Sequence, residues 1–292
     1  MAIKIDAEKL GKDFGFIDET GTIIPSLAYA LNNNVPVLLS GDTGTGKTFL
    51  AQEICKAAGL PYETLNFYNT TNATKILGGY KPIGDKFQWI DGVLTHCMRE
   101  GKVFIGEESN FMRSEVSSVL YPVMDFRRET VLDEHPDPNW DGKGMFKPER
   151  IKAHPDFRII LTCNLNYRGT ERFNPAIKNR IGCYIHIDYL SVENEAKLIE
   201  SRYAVGMEMA TKLCKIANGF RSSREETGYD PVSTRIIEEW AKMIKHGTDP
   251  IKAAKNTVAP CLTDDPEEQK MIMVYVGESF KPVKKRGKDD EE

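Results

Sequence analysis

Gly41-Asp42-Thr43-Gly44-Thr45-Gly46-Lys47-Thr48 decides the reading of this chain, because it satisfies G-x-x-x-x-G-K-[ST] between an apolar run, Val35 to Leu39, and a helical pattern that opens at Thr48. A strand, a glycine-rich turn and a helix in that order make a phosphate-binding loop. The glycines let the backbone wrap closely round an anion, so that N–H groups and a helix N-terminus point at the phosphates. Lys47 is expected to neutralise the β- and γ-phosphates and the Thr48 hydroxyl to take one position on Mg²⁺. Gly41, Asp42, Thr43, Gly44, Thr45, Gly46 and Phe49 complete the expected binding set. ATP with Mg²⁺ is the expected cofactor pair; the loop alone does not separate ATP from GTP.

Working outward, apolar runs at Tyr62 to Phe67, Val103 to Ile105, Arg158 to Thr162 and Cys183 to Ile187 read as further strands, mostly separated by helical patterns. That alternation predicts an α/β fold, a mostly parallel sheet sandwiched by helices. A helix is expected over Ile23 to Leu31, and the alternation in Phe87-Gln88-Trp89-Ile90, between Gly84-Asp85 and Gly92, predicts a β-hairpin. From Ser191, an N-cap with Glu193 and Glu195 in the first turn, the pattern is helical to about residue 279. The expected organisation is a nucleotide-binding domain over 1–190, a smaller all-helical lid over 191–280, and a charged, disordered tail over 281–292. Ile236, Trp240 and Ile244 recur at helical spacing as lid core.

Length and composition fit this plan: 292 residues with a net charge of −4 suit a soluble α/β protein with a companion domain, and nothing global advertises a polyanionic partner. No run is apolar enough to span a membrane and no signal-type start is seen, so the expected location is the cytosol. Six scattered cysteines, without a C-x-x-C pair, read as reduced packing residues. None of the five histidines is assigned a catalytic or metal role.

Hydrolysis needs more than a phosphate loop. Lys102-Val-Phe-Ile-Gly-Glu107-Glu108 is a strand ending in two carboxylates, the first placed to position Mg²⁺ through its water shell, the second to orient or deprotonate the attacking water. Glu107-Glu108-Ser-Asn110-Phe-Met-Arg-Ser-Glu115-Val116 resembles the D-E-x-N-x-x-x-x-E-V stretch of the MoxR-type AAA+ ATPases, a group that includes the CbbQ and NorQ activases and the dynein-related modules. His154-Pro-Asp-Phe157-Arg158 leading to Asn164 is similar to the family's sensor 1 strand, Asn174-Pro175-Ala176-Ile-Lys-Asn-Arg180-Ile181 to its N-P-A-L-x-x-R-F segment, and Val232-Ser233-Thr234-Arg235 to its sensor 2 motif. The resemblance implies that Asn164 reads the γ-phosphate or the attacking water, that Arg180 serves as an arginine finger in trans, and that Arg235 binds the γ-phosphate from its own lid. It also implies a homo-oligomeric ring, a hexamer, acting on a protein client, with a von Willebrand A domain partner as adaptor.

Two departures stand out. Glu107 replaces the usual aspartate, one methylene longer, which predicts slow hydrolysis because a displacement of about 1 Å can cost about a hundredfold. Gly106 occupies a position that is normally apolar, which is expected to weaken the strand. The segment 126–153 is a long Pro-, Gly- and Asp-rich insertion where this clade carries a hairpin facing the ring pore. Phe87, Trp89, Trp140, Met145 and Phe146 are therefore candidates for touching a partner, or for covering the sheet edge. A nucleic-acid motor or McrB-like restriction subunit is the first alternative, disfavoured because Lys81, Lys86, Lys143 and Lys147 lie among Asp85, Asp91, Asp137 and Asp141. A metal-chelatase motor subunit shares every motif, and a small-molecule kinase leaves Arg180 and Arg235 without a role.

Overall fold

In the computed structural model residues 5–6, 15–164 and 175–281 are described; Gly169 to Asn174 of the finger segment and the tail beyond Lys281 lie outside them. The chain divides into two compact units, Met1–Asp42 with Gly46–Asp188, and Thr43–Thr45 with Tyr189–Glu292.

The first unit is built on a five-stranded, all-parallel sheet in the order β2-β5-β8-β1-β9. Its strands are β1 (Val37–Gly41), β2 (Tyr62–Asn66), β5 (Val103–Glu107), β8 (Arg158–Asn164) and β9 (Cys183–His186). Both faces are covered, so the strands are apolar on both sides. Val37, Leu39, Ile105 and Ile160 face α1 (Ile23–Asn32) and α2 (Lys47–Ala57), whereas Leu38, Phe104 and Leu161 share a core with the short α3 (Ala73–Leu77), α4 (Val93–Glu100) and α5 (Ser114–Met124). Residues next to each other in β1 therefore serve opposite layers, as the two-residue period requires.

β1 begins two residues later than its apolar run. Pro36 has no N–H for a ladder, and Val35 N bonds back to Ala30 O; the Pro36 carbonyl instead accepts from Gly182 and Cys183. β8 runs two residues past its expected end, to Asn164, which pairs with Gly41.

β5 runs unbroken through Gly106. It is buried between Leu65 and Leu161 in the ladder, and a Cβ there would lie 2.7 Å from Leu161 Cδ2 and 2.8 Å from Phe67 Cε2. The missing side chain is the space into which the buried Phe67 ring packs, edge-on to Phe104 at 6.4 Å. Gly106→Ala is expected to destabilise the protein by about 1–3 kcal/mol through overpacking. Urea unfolding should show that Phe67→Leu in the same chain recovers part of the loss; additive losses would mean the two sites are independent.

Two hairpins project from this unit. β3 (Gly78–Ile83) and β4 (Lys86–Asp91) flank the Gly84-Asp85 turn, and the long insertion forms β6 (Glu129–Pro136) and β7 (Pro148–Lys152). They are clasped together. Arg99 on α4 bridges Asp91 at 2.9 Å and Glu149 at 2.8 Å, and the Trp89 ring, its Nε1 bonded to Asp91, lies 4.8 Å from His135 of β6. The loop between β6 and β7 closes on itself through a Trp140–Phe146 edge contact at 5.1 Å and a Lys147–Asp137 ion pair at 3.0 Å.

The second unit is helical after Tyr189: α7 (Val192–Tyr203), α8 (Met207–Ser222), the short α9 (Arg224–Thr227), α10 (Thr234–Lys245), α11 (Pro250–Leu262) and α12 (Pro266–Phe280). Ser191 caps α7, its hydroxyl accepting from Asn194 N. Ile237, Trp240 and Ala241 supply the buried stripe of α10, with Ile236 and Ile244 half-buried against the same core. Cys55, Cys97, Cys163 and Cys214 are buried and free, and burial pushes the thiols of Cys55, Cys97 and Cys214 up to about 12, which leaves them protonated packing groups. Among the described residues no helix is long and apolar enough to cross a membrane.

Candidate functional site

Three neighbouring strands, β1, β5 and β8, bring their carboxyl ends together, the usual place for a ligand on a parallel sheet. β1 ends in the glycine-rich loop, β5 in Glu107 and β8 in Asn164 opposite Gly41. The loop then turns into α2 at Gly46, whose φ of 92° is a left-handed conformation that glycine adopts without strain.

Lys47 is almost fully buried and its Nζ donates to the carbonyls of Gly41 at 3.1 Å and Asp42 at 2.6 Å. Burial holds its ammonium below the usual lysine range, opposed by the attraction of the Glu108 carboxylate. The next residue, Thr48, lies beside the end of β5: its hydroxyl donates to Glu107 Oε2 at 3.3 Å. Burial pushes the Glu107 carboxyl up, the Thr48 and Gln52 hydrogen bonds pull it back, and the neighbouring Glu108 charge pushes it up again. Gln52, one helical turn beyond Thr48, is a neighbour of Glu107 that the sequence reading missed.

Glu108 follows in a left-handed conformation, φ 55° and ψ 41°, which costs a non-glycine residue about 1–2 kcal/mol. Strain of this kind collects at functional sites, and here the end of β8 holds it. Asn164 Nδ2 reaches both Glu108 carboxylate oxygens, at 2.9 and 2.7 Å. Ser109 Oγ donates to the Thr162 carbonyl at 2.7 Å, and Asn110 Oδ1 accepts from Asn164 N at 3.3 Å. The Glu108 carboxylate is thus held by Asn164 at the end of β8, and the turn that follows it is tied to the same strand end. Asn110 was visible as part of a motif; Thr162 and Ser109 carried no sequence signal beyond being small polar residues at strand ends.

Phe16 and Phe49 wall the loop on another side. A Cβ on Gly46 would lie 3.5 Å from the Phe16 ring, and one on Gly15 would lie 3.2 Å from Phe49 Cζ. Phe16 had not been singled out from sequence. The site offers a cation only oxygen atoms, the Thr48 hydroxyl and the Glu107 carboxylate, and no group of three His, Cys, Asp or Glu among the described residues is placed to enclose a metal. That set fits Mg²⁺, which keeps most of its waters and is held by one or two protein oxygens together with phosphates.

The remaining two predicted residues are Arg180 and Arg235. Arg180, just past α6 (Pro175–Lys178), lies over the Tyr121 ring at 4.7 Å and donates from Nη1 to the Ala176 carbonyl at 3.0 Å. Its Nε is 3.9 Å from Asp125 and is buried without a hydrogen-bond partner. Arg235 is exposed in the first turn of α10, in the second unit.

A phosphate loop, a strand ending in paired carboxylates and an asparagine-tipped strand between them define an AAA+ fold with its P-loop NTPase site. Residues 36–181 match the AAA domain (dynein-related subfamily), and residues 195–278 match the CbbQ/NirQ/NorQ C-terminal family. The chain is 26% identical to the denitrification regulatory protein NirQ of Pseudomonas aeruginosa, covering 89% of this chain and 96% of that protein. It is 27% identical to CbbQ of Hydrogenophilus thermoluteolus, over 82% and 85% of the two chains, and 26% identical to NorQ of Paracoccus denitrificans, over 82% and 84%. The protein belongs to the dynein-related, MoxR-type AAA+ ATPases.

Proposed function

We propose that this protein hydrolyses ATP at the ends of β1, β5 and β8 and, as a homo-oligomeric ring, a hexamer, uses that cycle to remodel or activate a partner protein in the cytosol. The observation that carries the reading is the pair of side-by-side contacts Thr48–Glu107 and Asn164–Glu108, which puts a hard-cation seat next to a positioned carboxylate. Lys47 turns from the loop carbonyls to the β- and γ-phosphates. Mg²⁺, when bound at Thr48 and Glu107, supplies charge neutralisation for the departing diphosphate. Glu108 takes the proton of the attacking water or orients it, and Asn164, already on that carboxylate, senses whether a γ-phosphate has arrived. Arg180 answers to a neighbouring subunit's nucleotide and Arg235 to its own.

NirQ is a denitrification regulatory protein; carried to this chain, that supports action on another protein rather than on a small molecule. A von Willebrand A domain adaptor is the recruiting partner we favour, by analogy. The hairpins offer it a surface: Phe87 is 72% exposed and Met145 93% exposed, whereas Trp89 is half-buried between Tyr80 and His135 and ties the two hairpins together. Their charges are of mixed sign, with Lys147 and Asp137 already paired, which disfavours a nucleic-acid track. A chelatase motor role remains the second reading, separable through its partner.

ATPase rate measured against protein concentration, with light scattering alongside, tests the proposal. The rate per subunit should climb as the ring assembles; a rate that is flat through assembly would sink the ring-coupled reading. A steeply salt-dependent affinity for DNA or RNA would shift the assignment to the nucleic-acid alternative.

A further inference from the structure

Under the exposed Arg235 the second unit hides an ion pair that the chemistry of hydrolysis does not call for. Glu195, in the first turn of α7, is fully buried, and its two oxygens each accept from an Nη of Arg221 on α8, both at 2.9 Å. The Thr234 hydroxyl donates to Glu195 Oε1 at 2.6 Å, and Arg221 Nε donates to the Val232 carbonyl at 2.7 Å. The Tyr189 ring closes the other side of the guanidinium at 3.9 Å.

Burying two charges costs so much desolvation that a well-packed apolar pair of the same volume is often as stable or more stable. Lid cohesion alone is therefore a poor account of Glu195 and Arg221, since the surrounding core of Ile199, Leu213, Phe220 and Trp240 is already apolar. What the pair does hold is the entry to α10. The N-cap, Ser233, makes no side-chain capping bond. In its place, the residue before the cap is fixed through its carbonyl by Arg221 and the residue after it through its hydroxyl by Glu195. Arg235 is the next residue.

We propose that Glu195 and Arg221 are positioning residues which, through Val232 and Thr234, fix the start of α10 and so aim Arg235 at the terminal phosphate of ATP. The proposal rests on the reading of Arg235 as the lid arginine. Glu195 is fully buried and the Arg221 side chain nearly so, and their effect passes through two short contacts. Bidentate geometry suits this task because the planar fork fixes orientation as well as distance.

The test compares the affinity of the full chain for a slowly hydrolysed ATP analogue with its affinity for ADP, alongside thermal melting followed by circular dichroism. Thr234→Val removes the hydroxyl while keeping shape and leaving the ion pair intact, so it avoids the unfolding that Glu195→Ala invites. Thr234→Val is expected to weaken the analogue about tenfold, leave ADP within about twofold, and add nothing to Arg235→Ala in the double variant, since both act on one interaction. Glu195→Gln should shift the ratio in the same direction. Equal losses for analogue and ADP, or losses that multiply in the double variant, overturn the proposal. If Arg235→Ala shows the γ-phosphate-specific loss and Thr234→Val does not, only the positioning role falls. If Arg235→Ala leaves the ratio unchanged, the lid-arginine reading falls and takes the positioning role with it.

Discussion

Arg180→Ala is expected to lower ATP turnover by about three orders of magnitude, the lower end of what an arginine finger contributes, while a subunit still binds nucleotide. The geometry explains why this arginine is available. Asp125, the carboxylate nearest to it, is engaged by Arg127 at 2.6 Å, and that contact, ahead of the weaker pull of Arg180, holds the Asp125 carboxyl below the usual range. Arg180 is held chiefly by the Tyr121 face and one backbone carbonyl, its Nε making a long ion pair to Asp125 at 3.9 Å but no hydrogen bond. Those contacts orient the guanidinium while the long Asp125 contact, shared with Arg127, neutralises it only weakly, and a buried donor without a hydrogen-bond acceptor carries a standing cost that a phosphate oxygen would relieve. Because the cost lies in the finger and the benefit in a neighbour, mixing distinguishes trans from cis action. Combining Arg180→Ala with Lys47→Ala, each nearly inactive alone, should restore measurable turnover in mixed rings. A mixture no faster than its components would mean that Arg180 serves its own subunit or only the fold.

The loop with its flanking elements was legible because its signal is local: eight consecutive residues with one strand before them and one helix after determine it. Glu108 and Asn164 were legible for a related reason, since a parallel sheet brings strand ends together and a motif marks each end. Other features depend on what folds against what. Gly106 read as a defect because its neighbours in sequence give no hint that Phe67 and Leu161 fill its place. Glu195 read as an ordinary acidic residue in a helix's first turn, and only the packing of α8 on α7 shows it buried and bound by Arg221. Trp89 read equally as a partner contact or as cover for the sheet; His135, distant in sequence, instead packs it between the two hairpins. In each case the deciding atom comes from an element that periodicity does not connect to the residue in question.

Glu108→Gln carries the other large effect, an expected loss of about two to four orders of magnitude in turnover with ATP binding retained or tightened. The amide keeps the size of the carboxylate and can sit in the same strained backbone position, so a loss of rate with an unchanged melting temperature isolates its chemistry from its packing. What it cannot do is take a proton. Asn164 reaches both Glu108 oxygens in the present geometry, so the carboxylate has to be released, or to use its remaining lone pairs, before it meets water. Glu107 separates the two carboxylates by role. Its oxygen lies within 3.3 Å of Thr48, so the longer side chain still arrives beside the hydroxyl with which it would share Mg²⁺. Glu107→Asp therefore decides whether the additional methylene limits the enzyme. If it does, single-turnover rates with Mg²⁺-ATP should rise, by up to about a hundredfold for a correction of about 1 Å. If Gln52 and Thr48 already hold Glu107 where the cation needs it, the shorter aspartate will lose their contacts and the rate will fall. A fall would make the pairing of Glu107 with Gln52 a matched alternative to the usual aspartate, and a rise would mark this ATPase as one slowed by a single carbon.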